Sequence, residues 1–171
     1  RVPLIGFAGA PFTLASYLIE GGKSTHFDKA KRLMYENPKA WHSLMEKLSE
    51  VVRRYLRAQI KAGAQAVQLF DSWVGQLSPV DYREYVKPHS AHILSDVMTA
   101  GVPVLHFGVG TYALLEDMRD AGGHVIGLDW RTPLDEGWKR VGYDRGVQGN
   151  LDPILLFGPQ EVALKQAKRI L

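Results

Sequence analysis

Five short apolar runs, each followed by a stretch with helical periodicity, constrain the fold of this chain more than any other feature. The runs occupy residues 4–8, 66–70, 102–107, 125–128 and 147–149. They are mostly apolar along their whole length, as strands are when both faces of a parallel sheet are buried. The alternation of strand and helix therefore predicts an α/β protein with a parallel sheet.

The longest helical pattern covers residues 39–62, where apolar side chains recur every three or four positions from Trp41 to Ile60. Gly63 supplies a natural C-terminal cap. Another helical pattern covers residues 79–100, and Pro88 is expected to split it. The remaining helices are predicted over residues 13–20, 27–36, 111–121, 134–141 and 159–171.

Five strand–helix units can be arranged in two ways. A closed (β/α)8 barrel takes roughly 250 residues, so five units in 171 residues predict an incomplete barrel, one domain that spans residues 1–171. The alternative is a complete, doubly wound open sheet of five strands. The motif Gly-x-Gly-x-x-Gly does not follow the first strand, which weakens a dinucleotide-binding interpretation.

The composition of the chain excludes several classes of site and partner. The chain contains no cysteine, which excludes disulfides and thiolate metal sites. Its formal net charge is only +3, and its Lys and Arg are interspersed with Asp and Glu, so nucleic acid is not an expected partner. A mild basic excess still suits an anionic small molecule. We expect no membrane partner, because no apolar run approaches the roughly 20 residues of a membrane-spanning helix.

Polar residues follow several predicted strands. Asp71, Asp129 and Asp152 lie at or just after strand ends, which is where α/β proteins hold their chemistry. A carboxylate there can act as a general acid or base, although it more commonly caps a helix or binds loop amides. His106 also ends a strand and is expected at the barrel mouth, as a substrate ligand, a metal ligand or a satisfied mouth residue.

Other polar residues carry weaker signals. His89 and His92 could share a helix face, and a solvated face is favoured over a metal site because catalytic zinc takes three protein ligands. Residues 22–24, Gly-Lys-Ser, look like the end of a phosphate-binding loop, but Tyr17 stands where that motif needs glycine. On spacing alone, Tyr17 is favoured as a core aromatic and Ser72 as a turn residue.

Longer segments point to a family. Residues 6–22, GFAGAPFTLASYLIEGG, and residues 55–75, YLRAQIKAGAQAVQLFDSWVG, resemble motifs of the uroporphyrinogen decarboxylase family. Residues 127–131, GLDWR, and residues 148–153, QGNLDP, match further along in the same order. The resemblance covers essentially the whole chain, and its first two segments are long and specific.

The resemblance implies a (β/α)8 barrel and a carboxy-lyase of porphyrin biosynthesis. The family removes carbon dioxide from the four acetate side chains of uroporphyrinogen III, which leaves methyl groups and gives coproporphyrinogen III. It uses no metal or organic cofactor. The resemblance further implies a cytoplasmic protein that is a homodimer at full length and that binds the anionic tetrapyrrole.

By motif position, the resemblance implies that Tyr17 is a catalytic, substrate-binding tyrosine near the reacting acetate. It implies that Ser72 hydrogen-bonds the substrate and that Phe70 packs on the macrocycle. The family's substrate-binding arginines, its pyrrole-binding aspartate and its C-terminal active-site histidine are expected outside residues 1–171, although Arg131 could supply one cation. These residues are therefore expected to be a central piece of the family's domain and to be inactive alone.

Two other functions are considered. Zinc-dependent methyltransferases of the same superfamily are similar in outline, but they use a His-x-Cys pair and a later cysteine. Here the corresponding residues 106–108 are His-Phe-Gly, and the chain has no cysteine, which argues against zinc. The second alternative is a non-catalytic tetrapyrrole-binding protein, which an assay of the full-length protein would distinguish from an enzyme.

Overall fold

The computed structural model describes residues 2–22 and 24–170, in which five parallel strands form one sheet. Each strand pairs with the next one in sequence, in the order β1-β2-β3-β4-β5. A doubly wound sheet reverses its strand order at a switch point, so this alternative is wrong and the predicted incomplete (β/α)8 barrel is confirmed. The strands are β1 (Ile5–Gly9), β2 (Ala66–Asp71), β3 (Val104–Gly108), β4 (Val125–Gly127) and β5 (Gly146–Gln148).

Helices connect the strands, as parallel pairing requires. They are α1 (Pro11–Glu20), α2 (Asp28–Glu36), α3 (Pro38–Lys61), α4 (Pro79–Tyr85), α5 (Lys87–Val97), α6 (Leu115–Ala121), α7 (Leu134–Val141) and α8 (Gln160–Ile170). The predicted split near Pro88 is confirmed, because α4 ends and α5 begins on either side of Val86. In the part of the chain that the structure describes, no helix is both long enough and apolar enough to cross a membrane.

Most of the described helices pack on one face of the sheet around an apolar core. Trp41 of α3 is fully buried, with its ring centroid 6.0 Å from that of Phe12 in α1. Its indole nitrogen donates to the backbone carbonyl of Tyr85 at 3.0 Å, which ties α3 to the end of α4. Closer to the sheet, Leu69 and Val104 are fully buried beneath α3 and α5. These contacts fix the helix layer relative to the strands.

Alternate residues of each strand face opposite sides of the sheet, and the register carries this pattern across the strands. Leu69 and His106 are in register, and both face the helices. Phe70 and Phe107 are also in register, and both face the opposite side, which is the interior of the barrel. Phe7 of β1 faces the same side and is 61% exposed, so the interior face is open at this edge of the sheet.

A close backbone approach joins the loops that follow β2 and β3. A Cβ atom on Gly75 would lie 2.2 Å from the carbonyl oxygen of Val109 and 2.6 Å from that of Gly110. No side-chain rotation can relieve these contacts, because both partners are backbone atoms. The absence of a side chain at Gly75 therefore allows the segment after β2 to pack against the loop after β3.

We predict that Gly75→Ala lowers the free energy of unfolding by about 1–3 kcal/mol, the usual cost of overpacking. Gly22→Ala is a matched control, because a Cβ atom there meets nothing within 4 Å. The measurement is chemical or thermal unfolding of the full-length protein with each change. Equal stability of Gly75→Ala and the unchanged protein would show that the two loops separate without cost.

Candidate active site at the carboxyl ends of the strands

Aromatic side chains cover the interior face of the sheet near the carboxyl ends of the strands. The Phe70 ring lies between Phe7 and Phe107, with centroid distances of 5.6 and 5.7 Å and edge-to-face geometry. Gly127 is in register with Phe107, and a Cβ atom there would lie 2.5 Å from the Phe107 ring. The glycine therefore leaves room for Phe107 to lie against β4. Together the three rings form an apolar wall.

A cavity of about 470 Å³ lies against this wall and is called the interior cavity. Phe70 and Phe107 line it, together with Gln68, Gln148 and Trp130. Apolar walls with a few polar groups are typical of small-molecule sites. Phe70, which the family resemblance assigns to substrate packing, lines this cavity, and its contact with a substrate stays a prediction.

Ser72 directly follows β2 and lines a second cavity of about 250 Å³, called the rim cavity. The other lining residues are Trp73, Gln76, Val109, Gly110 and Arg131. Arg131 comes from the loop after β4, so the rim cavity joins three loops that are distant in sequence. The side chains of its lining residues include a hydroxyl, an amide and a guanidinium group, which can all donate hydrogen bonds.

Tyr17 lies two turns into α1, and its side chain reaches the same edge of the sheet. The Tyr17 ring is 55% exposed, and its centroid is 4.1 Å from that of Trp73. Trp73 lines the rim cavity beside Ser72, so Tyr17 contacts a neighbour of this cavity rather than lining the cavity itself. The structure thus brings both candidate residues to the carboxyl end of the sheet, and their contact with one substrate stays a prediction.

Asp129 is buried and organises the loop after β4. Its carboxylate accepts hydrogen bonds from the backbone N–H groups of Gly110 and Arg131 and, at 3.1 Å, from the Arg131 guanidinium. The guanidinium carbon lies 3.9 Å from the centroid of the Trp130 ring, within the range of a cation–π contact. Of the roles expected for this Asp, the binding of loop amides is confirmed.

Asp152 follows β5 and caps a helical turn, which is one of the roles expected for it. Its carboxylate accepts a hydrogen bond from the backbone N–H of Ile154 at 3.0 Å. The turn that it begins is a 3-10 helix over Pro153–Phe157. A capping carboxylate of this kind fixes the direction in which the chain leaves the strand.

Asp71 is the last residue of β2 and faces the helices rather than the barrel interior. It is fully buried, and the hydroxyl of Thr13 in α1 donates to its Oδ1 at 3.4 Å. Burial raises the pKa of Asp71 to about 7, although the hydroxyl of Thr13 acts to lower it. Asp71 was expected to act at the mouth, to cap a helix or to bind a loop amide. Instead it connects β2 to α1.

The expectation that His106 points to the barrel mouth is wrong. His106 is fully buried and faces α6, with its Nδ1 3.3 Å from the carbonyl oxygen of Met118. Burial lowers the pKa of His106 to about 4, so it is neutral at pH 7. The alternation of β3 explains the error, because Phe107 is the residue at this end of the strand that faces the interior.

The expectation of a solvated face holds for His92 and is wrong for His89. His92 is exposed, whereas His89 is buried with its Nε2 2.9 Å from the Nδ1 of His42. Burial and the neighbouring His42 lower the pKa of His89 to about 4. Over residues 2–22 and 24–170, no three His, Asp or Glu side chains are grouped so as to hold a metal ion. The Gly-Lys-Ser motif includes Lys23, which lies outside the described residues.

The site residues that the sequence analysis missed include Trp73, Gln76 and Phe107. Phe107 had a usable signal, because a period of two along β3 separates it from its neighbour His106. Trp73 and Gln76 had none, since their place in the rim cavity depends on how the loops after β2 and β3 meet. That meeting is a tertiary contact, and no local pattern encodes it.

Comparisons with known proteins identify similar sequences and a similar fold. The family described as Uroporphyrinogen decarboxylase (URO-D) matches residues 1–171. Curated uroporphyrinogen decarboxylases of Sorangium cellulosum and Thermus thermophilus are 66% and 59% identical over 171 and 170 residues. The chain spans about half the length of these relatives, 49% and 50%. A solved methyltransferase from Methanosarcina mazei matches with a TM-score of 0.83 and 22% identity, over 99% of this chain and 50% of that chain. This last likeness shows the fold.

Asp71 gives the protein a testable pH dependence. Its pKa is about 7 in the fold and 3.8 in an unperturbed side chain. Below pH 4, Asp71 is neutral in both the folded and the unfolded protein. Between pH 4 and 7 it ionises mainly in the unfolded protein, so the free energy of unfolding falls as the pH rises. The loss is on the order of 4 kcal/mol. Asp71→Asn keeps an oxygen for Thr13 and cannot ionise, so we expect it to be stabilised relative to the unchanged protein near pH 7 and not near pH 4.

The measurement is the difference in free energy of unfolding between the two full-length proteins at each pH. This difference isolates Asp71. The lowered pKa values of His89 and His106 have the opposite effect, since they make stability rise between pH 4 and 6.5, but both histidines are present in both proteins. A difference that does not change with pH would mean that Asp71 is ionised in the fold.

Proposed function

The chain belongs to the uroporphyrinogen decarboxylase family, and we propose that it supplies part of the active site that decarboxylates uroporphyrinogen III to coproporphyrinogen III. The observation that supports this proposal most strongly is 66% identity to a curated uroporphyrinogen decarboxylase over all 171 residues. In this proposal, the full-length protein acts in porphyrin biosynthesis and removes the carboxyl groups of the four acetate side chains.

The shape and polarity of the site support this substrate class. A tetrapyrrole has a broad apolar ring system and anionic side chains. The wall of Phe7, Phe70 and Phe107 offers apolar surface to the rings. Ser72 and Arg131 line the rim cavity, and their hydroxyl and guanidinium groups can donate hydrogen bonds to carboxylates.

The proposed chemistry needs an electron sink within the substrate. Protonation of a pyrrole creates a cation; the bond between the acetate methylene carbon and its carboxylate then breaks, and its electron pair neutralises the ring as carbon dioxide leaves. The methylene carbon takes up a proton to become a methyl group, and the ring releases its extra proton. Tyr17 is the proposed catalytic residue, and Ser72 the proposed hydrogen-bond partner of the substrate. Donors fixed in advance can stabilise the charges of such a transition state.

We predict that Tyr17→Phe and Ser72→Ala each reduce kcat/KM without unfolding the protein. Loss of a hydrogen bond to a charged group costs about 1.5–3 kcal/mol, or about tenfold to 150-fold in rate. Coproporphyrinogen formation by the full-length protein under anaerobic conditions gives the rates. Tyr35→Phe and Ser95→Ala are matched controls, because Tyr35 bonds Asp81 and Ser95 bonds the carbonyl of His92. If both site variants keep the unchanged rate, neither hydroxyl takes part.

We also predict that residues 1–171 alone do not decarboxylate uroporphyrinogen. The chain spans about half the length of its relatives, and Ile5 and Phe7 on the interior face are 46% and 61% exposed. An exposed apolar face of this kind favours self-association. The test is anaerobic incubation of the purified 171-residue chain with uroporphyrinogen, with host enzyme excluded. Product formation above a blank would contradict the prediction.

The alternatives have less support. The methyltransferase likeness rests on 22% identity and carries the fold alone. His106, which would be the first residue of a zinc motif, is buried on the helix side of the sheet. A non-catalytic tetrapyrrole-binding protein would bind the substrate without releasing carbon dioxide. The anaerobic assay of coproporphyrinogen formation by the full-length protein therefore distinguishes such a protein from an enzyme. The family resemblance also supports a cytoplasmic homodimer at full length, which sedimentation analysis and cell fractionation can test.

A further inference from the structure

We propose that the rim cavity binds a peripheral carboxylate of an anionic tetrapyrrole and that Arg131 is the cation that pairs with it. The identity of the ligand rests on the proposed function, whereas its position rests on the contents of the cavity. Among the residues that line the rim cavity, Arg131 is the charged one. Ser72 and Gln76 add neutral donors, so the lining suits an anion.

Two contacts hold the Arg131 guanidinium without covering it. Its Nη1 donates to Asp129 at 3.1 Å, and its carbon lies 3.9 Å above the Trp130 ring. The Arg131 side chain nevertheless remains 54% exposed. Among the described residues, this guanidinium donates its hydrogen bond to Asp129 alone. Its other N–H groups are therefore available to a carboxylate, which a guanidinium can bind with two parallel hydrogen bonds.

The negative charge of Asp129 is shielded from an incoming ligand. The Asp129 side chain is only 1% exposed, and it accepts hydrogen bonds from the backbone N–H groups of Gly110 and Arg131. A second cation lies next to one of the lining residues, because the Lys31 ammonium group donates to the backbone carbonyl of Gln76 at 2.8 Å. The surface that a ligand meets is therefore more positive than the ion pair alone would suggest.

The two cavities together match the two parts of a tetrapyrrole. The interior cavity of about 470 Å³ has aromatic walls, whereas the rim cavity of about 250 Å³ is smaller and polar. Trp130 lines the interior cavity, and its neighbour Arg131 lines the rim cavity. A macrocycle against Phe70 can thus extend one acidic side chain past Trp130 to Arg131.

The competing explanation is that Arg131 only neutralises Asp129 and holds the loop. That role predicts a loss of stability in Arg131→Gln, with unchanged ligand affinity in the protein that remains folded. Our proposal predicts that Arg131→Gln weakens ligand binding, and that it still does so when the buried charge of Asp129 has been removed as well. The double variant Asp129→Asn/Arg131→Gln provides this condition, and Asp129→Asn alone is its reference.

The experiment measures binding of uroporphyrin, the oxidised form of the substrate, to the full-length protein by quenching of tryptophan fluorescence. We expect Arg131→Gln to weaken binding by about tenfold to 150-fold, and Arg131→Lys to weaken it less because the charge remains. The matched control is Arg32→Gln, since Arg32 is 74% exposed and pairs with Glu36 on α2. In turnover with uroporphyrinogen, Arg131→Gln should raise KM and leave kcat largely unchanged. This is the effect of losing an interaction that is equally strong in the bound substrate and in the transition state.

Each outcome has one meaning. Equal affinities of the unchanged protein and Arg131→Gln, or of Asp129→Asn and the double variant, would overturn the proposal. A loss of affinity in Arg131→Gln no greater than in Arg32→Gln would also overturn it, because the effect would then come from net charge. If the unchanged protein binds uroporphyrin through Arg131 but forms no coproporphyrinogen, the proposed function fails and the carboxylate site stands.

Discussion

The parallel register of β2 with β1 and β3 is the constraint on which the candidate site depends. Because side chains alternate along a strand, the register that buries Leu69 beneath the helices also places Phe70 in the interior, between Phe7 and Phe107. A slip by one residue would exchange the two faces. The same alternation leaves Asp71 behind the sheet and brings Ser72 to the rim. Packing of the helix layer thus decides which side chains a ligand can meet.

Asp71 shows that this end of β2 is not arranged for stability alone. Its Oδ2 and the buried hydroxyl oxygens of Tyr82 and Ser90 have no hydrogen-bond partner among the described residues. Buried polar groups without partners cost free energy, and a raised pKa adds a further cost at neutral pH. An apolar residue at this position would avoid both costs. Departures of this kind from local packing rules tend to occur at functional or strained sites, and Asp71 directly precedes Ser72.

The strands and the barrel could be predicted from the sequence because apolar runs and helical periodicity are local signals. The direction of individual side chains was harder to predict. In a parallel strand buried on both faces, His106 and its neighbour Phe107 look alike, and only the register with Phe70 shows which one faces inward. The roles proposed for Tyr17, Ser72 and Phe70 came from the family resemblance, since spacing alone favoured a core aromatic and a turn residue. The rim cavity required the close approach at Gly75, which no sequence pattern describes.

The buried carboxylate of Asp129 connects the fold to the chemistry proposed for the rim. By accepting from the backbone of Gly110 and from both the backbone and the side chain of Arg131, it joins the loops after β3 and β4. The guanidinium is thereby ordered before any ligand arrives, with Trp130 beneath it. A free arginine side chain would lose up to about 2 kcal/mol of conformational entropy on being fixed. Because folding has already met most of that cost, a larger share of the ion-pair energy remains for binding a carboxylate.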